Sequence, residues 1–347
     1  MSNRNSLLVQ IIVWGVIAFL LLGALTVFLS RSALGWRGIP SLSSWADLRT
    51  MQEESFPLDA VNELEFDFSS MDIDVYLTDG EELQVKLLAN RELTPEERFI
   101  SSTENGRISI ENKQRFSMFN LFMISSFKKL EVYLPKQYSE TLGLKTSSGN
   151  ITLPDALALK AVKLRLSSGD LSGGDIQAED FSLGVTSGNI RLSALKSPRY
   201  AIDISSGDTT LENVEGTGSI GSSSGNIRVN SLTGGAQDIS TASGNITLGQ
   251  FTGYGDISTQ SGDIKIGSAL PQGDLDIHVT SGSASIELVK EASVNLKADV
   301  TSGDVRSSLP LSFDQHGKHA TGQVGENPSA TLAIRTASGD IRISQAE

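Results

Sequence analysis

The chain has no cysteine, only three histidines and few aromatic residues, 6% of its 347 positions. Without cysteine there is no disulfide framework, no thiolate metal site and no cysteine nucleophile. Basic residues are also short, 28 Lys+Arg against 41 Asp+Glu, for a formal net charge of -13. Phosphate-backbone binding needs clustered Lys and Arg, so nucleic acid is excluded as the main partner. The hydrophobic share is only 39%. What fills the chain instead is 49 serines and 33 glycines, about a quarter of all residues. Such a composition fits disorder if the residues are scattered, and a repeat if they are placed.

One long apolar run exists. Leu7 to Leu29 is 23 residues without a charge. At about 1.5 Å per residue it reaches roughly 35 Å, enough to cross a bilayer with some tilt. It exceeds the apolar region of a cleaved signal peptide, so residues 1–30 are expected to be a retained single-pass anchor. Arg4 lies on one side and Arg31 and Arg37 on the other, so the positive-inside rule does not by itself favour export of the C-terminal part. Residues 31–57 hold Gly35, Gly38, Pro40 and Pro57 without a sustained period and read as a stalk. Trp36 and Trp45 fit either the membrane interface or the base of the domain.

The serines and glycines are placed. Ser-Gly-Asn/Asp followed by an aliphatic residue recurs from Ser148-Gly149-Asn150-Ile151 to Ser338-Gly339-Asp340-Ile341. Successive motif glycines are 20, 19, 19, 18, 19, 18, 20, 21 and 36 residues apart. Gly322 divides the last interval into 19 and 17, which gives eleven units, one of them degraded. A fixed period near 19 over about 200 residues predicts a solenoid. Apolar residues alternate on both sides of each motif: Phe181, Leu183 and Val185 before Gly188, then Ile190 and Leu192 after it. That period of two predicts strands with one buried face.

The expected fold is therefore all-β: a parallel single-chain β-solenoid, or β-helix, of about eleven ~19-residue rungs. An N-terminal transmembrane helix and a β-rich N-terminal cap would precede it. The organisation is anchor 1–30, stalk 31–57, cap 58–143 and repeat 144–347. The interior column would be Ile151, Leu171, Ile190, Thr209, Ile227, Ile246, Ile264, Ala284, Val305, Val324 and Ile341.

The position after the motif glycine reads Asn150, Asp170, Asn189, Asp208, Asn226, Asn245, Asp263, Ser283, Asp304, Gln323 and Asp340. In this order no two neighbours are both aspartate, as expected if like charges on paired strands repel. The residues read as a structural ladder in which asparagines hydrogen-bond along the stack. Carboxylates kept about two rungs apart suit neither acid–base catalysis nor a calcium ion. No catalytic residue, cofactor, metal or small-molecule substrate is therefore expected.

Other motifs carry less. Gly216 to Gly221 matches a dinucleotide fingerprint and Gly221 to Gly225 a nucleophile elbow, but both lie between predicted strands with no helix after them. Asp314, His316 and His319 read as a polar loop, since zinc needs three or four firmly held ligands. Sixteen of 21 aromatics precede residue 144, and a sugar-binding platform of stacked rings along the repeat is therefore not expected. Phe116, Met118, Phe119, Leu121, Phe122, Met123 and Phe127 fit a cap over the first rung, or an exposed adhesive loop.

Residues 58–143 carry strand patterns such as Leu64, Phe66, Phe68 and Ile73, Val75, Leu77, and a capping box at Thr94 to Glu97. Ser69-Ser70-Met71-Asp72-Ile73 repeats the motif with Met in place of Gly. The segments LDAVNELEFDFSSMDIDVYLTDGEEL and LEVYLPKQYSETLGLKTSSGNITL, succeeded by repeated T-x-SG[ND]-I, resemble the toastrack putative adhesins (domain of unknown function 4097). The resemblance covers roughly residues 58–347. It implies a β-solenoid on the extracytoplasmic side, often membrane-anchored and sometimes linked to envelope-stress regulators, with no catalytic residues to carry over. The leading expectation is a non-enzymatic protein of the cell membrane acting in adhesion, envelope organisation or envelope-stress sensing. Its partner would be an envelope protein or another cell-surface component. A cytoplasmic-facing bactofilin-like scaffold polymer and a β-helix polysaccharide-active enzyme are the alternatives.

Overall fold

The computed structural model describes residues 48–112 and 127–346. The apolar run 7–29, the residues 31–47 of the expected stalk and the segment Phe116–Met123 lie outside them. No described helix is long and apolar enough to cross a membrane.

The N-terminal end is built from β1 (Arg49–Pro57), β2 (Glu63–Phe68), β3 (Asp72–Thr78), β4 (Glu82–Ala89), β5 (Ile100–Glu104), β6 (Arg107–Asn112) and β7 (Lys128–Pro135). A single 3-10 turn, Pro95–Glu97, comes after β4; Thr94 N–H donates to Glu97 Oε2 at 3.0 Å, as its capping box requires. Next come β8 (Thr141–Ser148), β9 (Ile151–Leu153), β10 (Leu157–Ser168), β11 (Leu171–Ser187), β12 (Ile190–Ser206), β13 (Thr209–Ser224), β14 (Ile227–Ser243), β15 (Ile246–Ser261) and β16 (Ile264–Ser281). The chain ends with β17 (Ala284–Leu288), β18 (Val294–Ser302), β19 (Val305–Ser307), β20 (Ser312–Phe313), β21 (His319–Val324), β22 (Ala330–Ser338) and β23 (Ile341–Gln345). All described strands belong to one hydrogen-bonded system.

From β10 to β16 each strand is one rung and pairs in parallel with the next. In β12, Ile190, Leu192, Leu195, Ser197, Tyr200, Ile202 and Ile204 are buried, and the phase shift at Ala194 marks a bend. The serines before the motif glycines stay in strict register, Ser187 with Ser206, Ser206 with Ser224 and Ser224 with Ser243. Register shifts fall instead at the far bend, between Ser197 and Arg199, Glu215 and Gly218, Thr233 and Ala236. Variation of 18 to 20 residues per turn is thus absorbed away from the motif.

The motif needs glycine for two reasons. Gly244 has φ +149, and a Cβ there would lie 2.0 Å from the carbonyl oxygen of Gly225. Each corner sits directly on the corner below it, so the steric bar repeats along the stack.

Both ends depart from sequence order. β2 lies between β6 and β8, and β3 between β7 and β9. At the other end β22 lies between β16 and β18, and β23 between β17 and β19. At the N-terminal end β2 and β3, and at the other end β22 and β23, are therefore tucked one rung in. Antiparallel strands close the outer rungs: β5 on β6, β4 on β7, β1 on β4, β21 on β18 and β20 on β21. An antiparallel neighbour ends the parallel stack at each end.

Three expectations change. Gly322 is no rung corner; it lies in β21, antiparallel to β18 and without left-handed φ. Val324 shares that strand and is absent from the column, whose last members run Ala284, Ile341, Val305. Met71 takes the place of the eleventh corner, beneath Gly149. Residues 49–57, read as stalk, form β1: Gln52, Glu54 and Phe56 are half-buried between exposed Glu53, Ser55 and Pro57, in a pairing with β4 that only the fold brings together.

Candidate ligand-binding face

The ladder residues come together in one row. Asn150 N–H donates to Asp72 Oδ1 at 2.8 Å, Asp170 N–H to Asn150 Oδ1 at 2.9 Å, and Asn189 N–H to Asp170 Oδ1 at 2.7 Å. The pattern continues through Asp208, Asn226, Asn245, Asp263 and Ser283. It then passes to Asp340, whose N–H donates to Ser283 Oγ at 3.2 Å, and ends at Asp304. At each step a side-chain oxygen satisfies a corner N–H that no backbone carbonyl reaches. Asn189 and Asn226 also donate Nδ2 to the aspartate below, at 3.2 and 3.1 Å. These side chains are engaged by the fold, not held out to a ligand.

The true rung order corrects the charge pattern. Asp340 and Asp304 are neighbours, contrary to the sequence-order reading. Two cations offset them: Arg306 Nη2 lies 3.3 Å from Asp304 and Lys318 Nζ 4.0 Å from it. Lys318 Nζ also donates to the carbonyl of Gly303, the last corner of the stack. A second row is internal. Thr259 and Thr336 donate Oγ1 to the corner carbonyls of Gly244 and Gly282 at 3.1 and 3.0 Å. Ser222, in the same row, is buried and has no partner.

Asp314, His316 and His319 do not form a ligand set. Asp314 Oδ1 accepts the backbone N–H of Lys318 and of His319. His319 Nδ1 lies 2.6 Å from Asp299 Oδ1, and that carboxylate pushes the imidazole up from its ordinary pKa. Among the described residues, no group of three or more His, Asp or Glu could hold a metal ion.

The outward faces carry what the ladder does not use. Asp238, Asp256 and Asp276 stand in register on three adjacent rungs, with Arg335 3.1 Å from Asp276. Each lies six residues before a motif glycine, a signal the sequence held outside the motif. Near the N-terminal end, Tyr76 and Tyr133 stack at 5.3 Å with Lys86 over the Tyr133 ring.

Two grooves run along the stack. One, of 590 Å³, traces the bend past Ala158, Gln177, Lys196, Glu215 and Thr233. The other, of 570 Å³, crosses β8 and β10 to β14 in front of the motif. Its row reads Lys145, Arg165, Gly184, Asp203, Gly221 and Ser240, each paired with the next. Beside it Ser167, Thr186, Ser205 and Ser223 place one exposed hydroxyl on each rung.

A coil of stacked parallel rungs with a hydrogen-bonded Asn/Asp ladder defines a parallel β-solenoid. The chain belongs to the Toastrack family: the family profile Toastrack DUF4097 matches residues 61–237 and 232–344. No curated protein matches. Among solved structures, the chain is similar to a putative adhesin from Bacteroides fragilis NCTC 9343, at 12% identity over 88% of this chain and 99% of that one, TM-score 0.36. It is also similar to a putative lipid binding protein from Parabacteroides distasonis ATCC 8503, at 12% identity over 85% and 96%, TM-score 0.41. A putative adhesin from Parabacteroides merdae ATCC 43184 gives 13% identity over 88% and 98%, TM-score 0.38.

Proposed function

We propose that this protein is a non-enzymatic, membrane-anchored adhesin, with residues 1–30 in the membrane and the solenoid on the extracytoplasmic side. One observation carries the reading: each Asn/Asp oxygen of the ladder holds the next rung's backbone, so the most regular polar residues serve the scaffold. What remains for function is a long outward face of hydroxyls and charges that a partner can contact over several rungs. An envelope protein or another cell's surface is the partner this arrangement suits. The apolar run 7–29 supports the anchor.

The test is adherence. Cells lacking the protein, complemented cells and parental cells are compared on host-cell or abiotic surfaces. The reading expects a loss on deletion that full-length protein restores; equal adherence of all three rejects it.

A further inference from the structure

We propose that the groove across β8 and β10 to β14 binds an acidic glycan laid along the stack, its carboxylate held by Arg165. This rests on the adhesive function and names its ligand class.

The cations near the groove are not equivalent. Lys145 is held by Asp67 at 2.7 Å, and Lys163 lies 3.6 Å from Glu63. Arg165 is exposed and, among the described residues, has no ion pair or hydrogen-bond partner. Its fork is free to take a carboxylate through two parallel N–H···O bonds.

The residue paired with Arg165 on the next rung is Gly184. Unlike the motif glycines, Gly184 has no left-handed φ, and a Cβ built there meets nothing within 4 Å. The fold does not require glycine here. Its effect is a hollow between Arg165 and Asp203, which stand two strand spacings apart, roughly 10 Å. No ion pair joins them. The hydroxyls of Ser167, Thr186, Ser205 and Ser223 flank the hollow.

This combination selects among anions. Hydroxyls both donate and accept, and Asp203 only accepts, which suits the hydroxyls of a sugar ring beside the bound carboxylate. A dense phosphate polymer would place further anions against Asp203 and against a chain of net charge -13. A neutral glycan would leave Arg165 without its counter-charge. The groove volume of 570 Å³ suits a few sugar units.

The experiment uses the full chain in nanodiscs and measures binding of 3′-sialyllactose, which carries one carboxylate beside neutral sugars, of neutral maltotriose and of tripolyphosphate. The expected result is sialyllactose binding that weakens with added salt, with the other two at least about tenfold weaker. Arg165→Gln weakens it about tenfold or more, as loss of a charge-assisted pair should. Gly184→Gln fills the hollow and weakens binding similarly while thermal unfolding stays unchanged. Absence of sialyllactose binding, indifference to both substitutions, or equal binding of maltotriose or tripolyphosphate overturns the proposal. Adherence of cells carrying the two variants separates the readings. Undiminished adherence removes the glycan site and leaves the adhesin, whereas no difference between parental and deletion cells removes the adhesin itself.

Discussion

The backbone N–H of Asp304 donates to Oδ1 of Asp340 at 3.0 Å, although Asp340 lies 36 residues further along the chain. The pair records a rung inserted out of order. β22 and β23, the last strands described, complete the ladder between residues that were synthesised before them. Without them, β16 and β17 on one side and β18 and β19 on the other present open parallel edges. Truncation after Pro328 should therefore lower stability and give larger aggregates or swapped oligomers than the full chain in detergent sedimentation. A truncated chain as stable and as well dispersed as the full one would show that the inserted rung is dispensable.

The corner glycines and Gly184 form a matched pair. Gly244→Ala places a methyl 2.0 Å from the Gly225 carbonyl oxygen at φ +149 and should cost several kcal/mol. Gly184→Ala meets open space and should stay within about 0.5 kcal/mol of the parent. Denaturant unfolding of both variants reads the contrast.

Asn245 accepts the N–H of Asp263 at 2.8 Å. Asn245→Ala leaves that donor without its acceptor and should destabilise by about 1–3 kcal/mol. Asn245→Asp keeps the acceptor but sets two carboxylates on adjacent rungs. It should destabilise at low salt through like-charge repulsion and recover in part as salt is added. Equal loss at low and high salt would count against the charge argument.

Ser222 occupies the internal row where Thr259 and Thr336 bond the corner carbonyls, yet it has no partner. Ser222→Thr should recover that bond to Gly207 and fill the row, stabilising by about 1 kcal/mol. Thermal unfolding at fixed pH measures it; destabilisation would mean the wall has no room for the methyl.

In the N-terminal cap, Arg91 Nη2 lies 2.5 Å from Glu97 Oε1 and holds that carboxyl down to about 2. The folded pKa lies below the unfolded value of roughly 4.5, so the contribution is present above about pH 4.5 and fades as the pH falls towards 2. Glu97→Gln should remove this acid-range slope, read as unfolding free energy against pH. An unchanged slope would place the acid sensitivity elsewhere.

The repeat was legible because it is local. Glycine, the adjoining Asn or Asp and the alternating aliphatics such as Ile227 and Val229 lie within one stretch of chain, and their period fixes the stacking. The ends were not legible. Gly322 fits the spacing, but antiparallel pairing with β18 decides its place, and that pairing depends on contacts far apart in sequence. The same holds for β22, whose insertion makes neighbours of Asp304 and Asp340. The groove at Arg165 depends on a side chain that Gly184 lacks, which acquires meaning only once the two are in register.

The central claim is that the solenoid faces outward from the membrane as an adhesive surface. The chain has no native cysteine, so one introduced thiol reports location without background. Ser205→Cys puts that thiol on the exposed hydroxyl row. The account predicts that a membrane-impermeant maleimide labels the variant on intact cells as fully as after lysis. Labelling only after the membrane is opened would place the solenoid inside the cell and contradict it.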